Sequence, residues 1–189
     1  MTAHITDKKA RLRVKLLCNR RALTPEIKSD ADRIMTERLL SLSEFADAET
    51  VFCYVSMYDE PSTSELINEI LRSGKTLLVP RCMAEGHMDA VRILSPDELR
   101  PSGKFGIMEP DMSAPAWSEA VDFAVVPALA CSRRLYRLGR GGGYYDRFIA
   151  EHTEMFSAAL CYEIRDVPAE TYDMQVNAAI TPNELIIRQ

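Results

Sequence analysis

The sequence predicts an α/β fold in which helices cover both faces of a mainly parallel sheet. Runs rich in β-branched and aromatic residues alternate along the chain with runs whose apolar residues recur at helical spacing. The length of 189 residues suits one domain with a full hydrophobic core, and no apolar run is long enough to span a bilayer. We therefore expect a single domain without a membrane partner.

Two helices are expected at the N-terminus. Residues 5–22 carry leucines at helical spacing. Thr24 supplies an N-cap for a second helix, in which Pro25 suits the first position. The apolar face of that second helix consists of Ala31, Ile34, Met35 and Leu39.

Strands and helices then alternate to the C-terminus. Strands are expected over residues 50–57, 76–80, 88–94, 121–130, 155–162 and 184–188. The run VDFAVVPALA at 121–130 is the most apolar, which is typical of a central strand buried on both faces. Further helices are expected over 63–73, with Gly74 at its end, and over 143–152. The proline-rich residues 95–120 are predicted to be irregular.

Composition and charge exclude several classes of protein. The five cysteines are scattered and form no C-x-x-C, which favours reduced thiols and argues against a zinc site. The N-terminus lacks the apolar core of a secretory signal, so we expect a cytoplasmic protein. The net charge of −5 argues against generic binding of nucleic acid.

Two basic clusters stand out from this acidic background. Residues 8–21 contain seven lysines and arginines and no acidic residue, whereas residues 133–147 contain five arginines and one acid, Asp146. A small anion bound where the clusters meet would explain both. The alternative for the first cluster is a solvated helix face, which is the common role of such charge runs.

The second cluster surrounds the glycine-rich run RLGRGGGYYDRF at residues 137–148. Its spacing fits neither a Walker A loop nor a dinucleotide fingerprint, but like them it joins an apolar strand to a helix. The glycines, Gly142 among them, are expected to take positive φ and to direct consecutive N–H groups into one concavity. The helix N-terminus and the guanidinium groups of Arg137 and Arg140 add positive charge, so the run predicts a polyphosphate site. The alternative is a flexible hinge.

Three side chains that follow the glycines are also candidates for ligand contacts. Asp146 falls in the first helical turn, where the helix dipole stabilises a carboxylate, and beside a polyphosphate it could hold Mg²⁺. Tyr144 is nearer to the glycines and is the better candidate for a wall of the ligand site. Tyr145 is expected to join the core.

The run RLGRGGGYYDRF resembles the signature of the 5-formyltetrahydrofolate cyclo-ligase family, also called methenyltetrahydrofolate synthetases. Further matches follow the order of that family: KKARLRVKLLCNRRALTPE, MYDEPST, SGKTLLVPR, HMDAVRI, KFGIMEP and VVPALA. The resemblance covers nearly the whole chain. It implies a three-layer α/β/α fold with a mainly parallel sheet in a single domain over residues 1–189, with the N-terminal helices of residues 1–45 packed on it.

The resemblance also implies a reaction. Members of the family convert 5-formyltetrahydrofolate to 5,10-methenyltetrahydrofolate while ATP becomes ADP and phosphate. The formyl oxygen attacks the γ-phosphorus of ATP, N10 of the folate attacks the resulting iminium phosphate, and phosphate leaves. We therefore expect ATP as co-substrate, Mg²⁺ as metal and a reduced folate as substrate, in a monomer that binds neither nucleic acid nor membrane.

The resemblance assigns site residues by matching position. Lys9 and Arg13 match N-terminal ATP contacts, and Glu60 matches a folate-binding glutamate, its alternative role being that of a turn residue. The implied ATP-binding residues are Lys9, Arg13, Arg137, Gly139, Arg140, Gly141, Gly142, Gly143, Tyr144, Tyr145 and Asp146. The implied folate-binding residues are Val55, Met57, Glu60 and Tyr144. Arg140 and Tyr144 are expected to act in catalysis, and Asp146 is expected to hold the metal.

Several positions depart from the family pattern. A Phe-Asp pair and a following Gly are replaced by Cys131, Ser132 and Leu135. A histidine is replaced by Tyr172, and an acidic metal position by Asn177. These departures support an alternative, a related protein that binds nucleotide or folate with weak or no cyclisation. A third hypothesis is an RNA-binding module that uses both basic clusters, whose affinity would fall steeply with added salt.

Overall fold

The computed structural model describes residues 2–102 and 106–188, so Lys104 and Phe105 of the KFGIMEP match lie outside the described residues. Its α-helices are α1 (Thr2–Arg21), α2 (Pro25–Leu40), α3 (Ser43–Asp47), α4 (Ser64–Arg72) and α5 (Tyr144–Glu151). Its strands are β1 (Thr50–Cys53), β2 (Thr76–Cys82), β3 (Met88–Ile93), β4 (Arg100–Ser102), β5 (Ile107–Glu109), β6 (Phe123–Pro127), β7 (Ala130–Cys131), β8 (Arg137–Leu138), β9 (Phe156–Leu160), β10 (Ala178–Ile180) and β11 (Leu185–Ile187).

Seven strands form the central sheet in the order β11-β10-β9-β6-β1-β2-β3. The five inner strands run parallel to one another, and β3 and β11 are antiparallel at the two edges. The prediction of an α/β fold with a mainly parallel sheet is therefore confirmed. The central strand is β6, as its apolar sequence predicted.

Helices cover both faces of this sheet. Successive side chains of β1 alternate, so that Val51 and Cys53 pack with residues of α2, α3 and α4, whereas Phe52 packs with residues of α5. The ring of Phe52 stacks on that of Phe148 in α5, with the ring centroids 4.3 Å apart. The arrangement has the three layers that were expected: helix, sheet and helix.

The two N-terminal helices pack on different parts of the domain. α2 begins behind its N-cap Thr24, whose side chain accepts a hydrogen bond from N of Ile27, and it buries Met35 in the core between the helices and the sheet. α1 packs on the segment that follows β6, where Leu16 clusters with Leu129. Within the described residues, no helix is long and apolar enough to cross a membrane.

Several element boundaries differ from the expectations. The strand expected over residues 50–57 ends at Cys53, and the run expected to be one strand over 121–130 divides into β6 and β7. Residues 95–120 are not wholly irregular, because β4 and β5 pair antiparallel within them. Five elements have no counterpart among the predicted ones: α3, β4, β5, β8 and β10.

The order of the strands creates a crevice beside β1 and β6. From β1 the chain passes to β2 on one side, whereas after β6 it returns to the sheet as β9 on the other side. Ligands of open α/β sheets bind outside the carboxyl ends of the strands at such a switch point. The segments that follow β1 and β6 are therefore where the topology places a site.

One buried residue adopts a left-handed backbone conformation. Leu135 has a φ of 63° and is 5% exposed, in the turn between β7 and β8. Its N–H donates to O of Ser132 over 2.9 Å, and its carbonyl accepts from N of Val176 over 3.0 Å. A residue with a Cβ in this conformation costs about 1–2 kcal/mol. Burial of a leucine side chain contributes about 1.5–3 kcal/mol, which offsets that cost.

Leu135→Gly is expected to lower the free energy of unfolding by about 2 kcal/mol, because the lost packing outweighs the relief of the backbone. Leu135→Ala loses similar packing but keeps a Cβ at positive φ, so it should be less stable than Leu135→Gly by about 1 kcal/mol. Urea unfolding followed by circular dichroism measures both differences. A glycine variant less stable than the alanine variant would rule out strain at this turn.

Candidate active site

A cavity of about 1060 Å³ opens at the carboxyl ends of β1 and β6. Every residue for which the sequence predicts a ligand contact lines it, although these residues come from three separate regions of the chain. They are Lys9, Arg13, Val55, Met57, Glu60, Arg137, Gly139, Arg140, Gly141, Gly142, Gly143, Tyr144, Tyr145 and Asp146. The fold therefore brings the two basic clusters together at one site.

Residues 139–143, here called the glycine loop, form one wall of this cavity. Gly141 has a φ of 104°, and Gly143, the N-cap of α5, has a φ of 73°, so both conformations favour glycine. No side chain caps α5 within the described part of the chain. The positive end of the α5 dipole thus lies at the cavity wall, where an anion binds favourably.

Gly142 is required for a different reason from the one expected. Its φ lies outside the positive region, so the prediction of positive φ at this position is wrong. A Cβ at Gly142 would lie 2.7 Å from Cδ2 of Tyr144, which is too close for any side chain. The close approach of the Tyr144 ring, rather than the backbone conformation, therefore selects glycine here.

α1 contributes two cations to the cavity. Nε of Arg13 donates a hydrogen bond to O of Gly139 over 2.8 Å, which ties the helix to the glycine loop. Nζ of Lys9 donates to Oε2 of Glu170 over 2.8 Å and to Oδ2 of Asp173 over 2.6 Å. Burial disfavours the charged form of Lys9, but the hydrogen bonds to the two carboxylates outweigh burial and raise the pKa above its ordinary value of 10.5.

The first basic cluster divides between two roles. Lys9 and Arg13 line the cavity, as the anion hypothesis predicted. Lys8, Arg11 and Lys15 are exposed on α1. For these three residues the solvated helix face is the better description.

Glu170 and Asp173 are partners of Lys9 that the sequence did not reveal. They lie 161 and 164 residues from Lys9, in an irregular segment between β9 and β10 without periodicity. Oδ2 of Asp173 also accepts a hydrogen bond from N of Glu170 over 2.6 Å, which closes a turn. Tyr172, which stands where the family has histidine, lies between them, and its ring centroid is 5.7 Å from Nζ of Lys9.

Arg140 joins the glycine loop to the segment that follows β1. Its Nε donates to Oε1 of Glu60 over 3.2 Å, and its Nη2 pairs with the carboxylate of Asp59. Glu60 is buried, and its Oε2 accepts a hydrogen bond from N of Met57 over 3.0 Å. Glu60 therefore closes a local turn, as its alternative role required, and it also lines the cavity, so contact with a folate stays a prediction.

Arg137 and Asp146 form a further ion pair below the glycine loop. Nη2 of Arg137 lies 2.9 Å from Oδ2 of Asp146, and Oδ1 of Asp146 accepts from N of Met174 over 3.2 Å. The guanidinium of Arg137 lies 5.3 Å from the ring centroid of Tyr145. Burial raises the pKa of Tyr145 well above its ordinary value of 10, in keeping with a residue that packs in the core as well as lining the cavity.

Asp146 is a suitable ligand for a divalent cation that arrives with a polyphosphate. Each of its carboxylate oxygens accepts one hydrogen bond, which leaves a lone pair on each for a further contact. Within residues 2–102 and 106–188, no cluster of three or more His, Cys, Asp and Glu side chains could hold a metal by itself. This donor set fits Mg²⁺, which binds through one or two carboxylates together with substrate phosphates.

Known proteins resemble this chain over most of its length. A sequence model of the 5-formyltetrahydrofolate cyclo-ligase family matches residues 5–182. The chain belongs to this family. It is 28% identical to the 5-formyltetrahydrofolate cyclo-ligase of Mus musculus, over 93% of this chain and 94% of the relative. It is 31% identical to that of Mycolicibacterium smegmatis, over 95% and 96%.

A solved structure shares the fold of this cyclo-ligase family member. The NMR structure of Aquifex aeolicus 5,10-methenyltetrahydrofolate synthetase matches with a TM-score of 0.80 at 30% identity, over 95% of this chain and 92% of that one. The resemblance found in the sequence, and the three-layer fold that it implied, are therefore confirmed.

Of the five positions that depart from the cyclo-ligase pattern, Tyr172 lines the cavity. The positions Ser132, Leu135 and Asn177 lie outside it, as does the buried Cys131. Ser132 and Leu135 belong to the turn between β7 and β8, where Oγ of Ser132 accepts a hydrogen bond from N of Tyr136 over 3.2 Å. Oδ1 of Asn177 accepts hydrogen bonds from N and from Oγ of Ser157, both over 2.9 Å. None of the three is among the described residues that line the cavity, so their contacts serve the fold.

Gly142→Ala is expected to weaken the binding of an ATP analogue about tenfold, because the added Cβ displaces the Tyr144 ring and the loop that carries it. The control is Gly74→Ala: Gly74 follows α4, does not line the cavity, has a φ of 77°, and a Cβ there meets open space. It should lower stability by about 1 kcal/mol and leave affinity unchanged. Titration calorimetry measures the affinities, and an equal loss in both variants would refute the steric role of Gly142.

Proposed function

We propose that this chain catalyses the ATP-dependent conversion of 5-formyltetrahydrofolate to 5,10-methenyltetrahydrofolate, with release of ADP and phosphate. The observation that carries the proposal is the single cavity in which the glycine loop and the buried carboxylate of Glu60 are both present. Membership of the cyclo-ligase family supports the same conclusion. The reaction requires both features, because it brings a polyphosphate and a folate into contact.

The glycine loop is the proposed binding site of the triphosphate. The N-terminus of α5 supplies dipolar charge behind Gly143, and Arg140 supplies a full charge with planar donors suited to phosphate oxygens. Lys9 and Arg13 add two cations from α1, four residues apart on one helix face. Phosphoryl transfer depends mainly on positioning and on neutralising charge, which are the properties that this set of groups provides.

Asp146 is the proposed residue for Mg²⁺, which when bound neutralises part of the charge on the polyphosphate. Arg137 was expected among the ATP contacts. Its side chain is only 3% exposed, and its guanidinium pairs with Asp146. We therefore assign Arg137 the role of orienting Asp146 beside the triphosphate.

Glu60 is the proposed anchor of the folate ring. Its carboxylate can accept hydrogen bonds from the N–H groups of a pterin, which are donors on one edge of a flat ring. Val55 and Met57, both half-buried after β1, and the ring of Tyr144 supply apolar surface beside it. Flat aromatic ligands bind well against such surfaces, so the folate is placed between Glu60 and the glycine loop.

In the proposed reaction the formyl oxygen forms a bond to the γ-phosphorus while the bond from that phosphorus to ADP breaks. N10 of the folate then forms a bond to the formyl carbon and loses its proton, and the bond from this carbon to the phosphorylated oxygen breaks, so that phosphate leaves and takes up the proton. Arg140 neutralises charge on the transferred phosphoryl group. Tyr144 is proposed to shield the reacting atoms from water at the boundary between the two substrates.

Two observations favour the proposed function over the alternatives. Of the five departures that favoured a weakly active relative, only Tyr172 is among the described residues that line the cavity. The cavity cations that favoured RNA binding converge on one site, where Lys9, Arg137 and Arg140 are paired with carboxylates. A cytoplasmic monomer that binds neither nucleic acid nor membrane stays a prediction.

Mixing the chain with ATP, Mg²⁺ and 5-formyltetrahydrofolate should produce the methenyl chromophore, which absorption spectroscopy detects. Arg140→Ala should lower kcat/KM about 100-fold, because one charged contact to the transferred phosphoryl group is lost. The matched control is Arg133→Ala, since Arg133 is exposed and pairs with Glu184 outside the cavity, and it should keep full activity. Nucleotide binding without any chromophore would contradict the proposed reaction.

A further inference from the structure

Arg140 is a cation that the two proposed substrate positions share. Its guanidinium belongs to the glycine loop, where the triphosphate is placed. The same guanidinium pairs with Glu60, where the folate is placed, and with the neighbouring Asp59. Binding of folate at one position can therefore change the affinity for nucleotide at the other, because both ligands compete for contacts of Arg140.

We propose that Asp59 is a positioning residue that holds Arg140 toward Glu60 until folate binds, so that folate and nucleotide strengthen each other's binding. This inference rests on the proposed function. Asp59 is not among the described residues that line the main cavity, so it acts through Arg140 and not on a substrate.

The backbone of Asp59 is anchored, which makes its carboxylate a fixed partner. Nη1 of Arg20 donates to O of Asp59 over 3.1 Å, and Nη2 of Arg20 donates to O of Ala128 in the segment that follows β6. Arg20 is itself buried, and its guanidinium lies 5.3 Å from the ring centroid of Tyr162. Asp59 is thus tied to the rigid part of the crevice.

Arg140 is the partner that can move. It lies between Gly139 and Gly141, and its side chain is 40% exposed. An ion pair with a side chain this exposed shifts the equilibrium between the paired and the released position by up to about fivefold. The pair with Asp59 is therefore strong enough to bias the position of Arg140 and weak enough for a polyphosphate to replace it.

Folate binding would release Arg140 by competition. The N–H groups of a pterin on Glu60 compete with Nε of Arg140 for the carboxylate oxygen that now accepts it. Once Nε has left Glu60, the remaining contact with Asp59 no longer holds Arg140 in place, so a phosphate oxygen can take the guanidinium whether or not Asp59 is present. By linkage, folate must raise the affinity for nucleotide by the same factor as nucleotide raises the affinity for folate.

Asp59→Asn tests this inference by calorimetric titration of a non-hydrolysable ATP analogue with Mg²⁺, with and without 5-formyltetrahydrofolate. Without folate, the variant should bind the nucleotide about threefold more tightly than the wild type, since one competitor for Arg140 is lost. The gain on adding folate should shrink by the same factor. Asp59→Glu should restore the wild-type values. A residue that merely supported the fold would weaken binding when replaced.

Glu65→Gln is the charge-matched control, because Glu65 lies on the surface groove that Asp59 also lines and is not a partner of Arg140. It should leave nucleotide affinity unchanged. Equal tightening in both variants would overturn the inference, and so would unchanged or weaker binding in Asp59→Asn. If the Asp59→Asn variant does not fold, Asp59→Ser provides a second test. The titration needs no turnover, so a chain that shows the tightening but forms no chromophore would contradict the proposed reaction alone.

Discussion

The site depends on ion pairs that join the cations of the cavity to carboxylates from distant segments of the chain. Lys9 and Arg137 are buried and Arg140 is partly exposed, and each of the three cations is held by an acidic residue. A buried charge without a partner is strongly destabilising, so the carboxylates allow these cations to be gathered at one place. A chain with a net charge of −5 thereby gathers cations at one site, where acidic residues balance most of their charge. A polyphosphate that binds there can replace these carboxylates as the partner of the cations.

The fold explains why these groups meet. The connections of β1 and β6 diverge, which leaves a crevice at their carboxyl ends, and the glycine loop forms one of its walls. α1 packs on the segment that follows β6 and carries Lys9 and Arg13 to the crevice. The irregular residues after β9 then return to α1 with the carboxylates of Glu170 and Asp173. Every part of the site is thus positioned by a rigid element or by an ion pair to one.

The sequence predicted what is encoded locally and did not predict what tertiary packing decides. Long periodic segments such as α1, α2 and the apolar run of β6 were found, and so was the glycine loop, whose glycines and arginines are adjacent. The five residues of α3 and the three of β10 carry too little periodicity to be recognised. The pairing of Lys9 with Glu170, and the ring of Tyr144 that selects glycine at position 142, depend on contacts that no local pattern records.

A crystal structure with a non-hydrolysable ATP analogue and Mg²⁺ would decide whether this charge-balanced crevice holds a triphosphate. We expect phosphate oxygens within hydrogen-bonding distance of main-chain N–H groups of the glycine loop, with Arg140 turned from Asp59 toward them. A triphosphate lodged outside the cavity, or one inside it that leaves the glycine loop untouched, would show that the loop and its arginines serve another purpose.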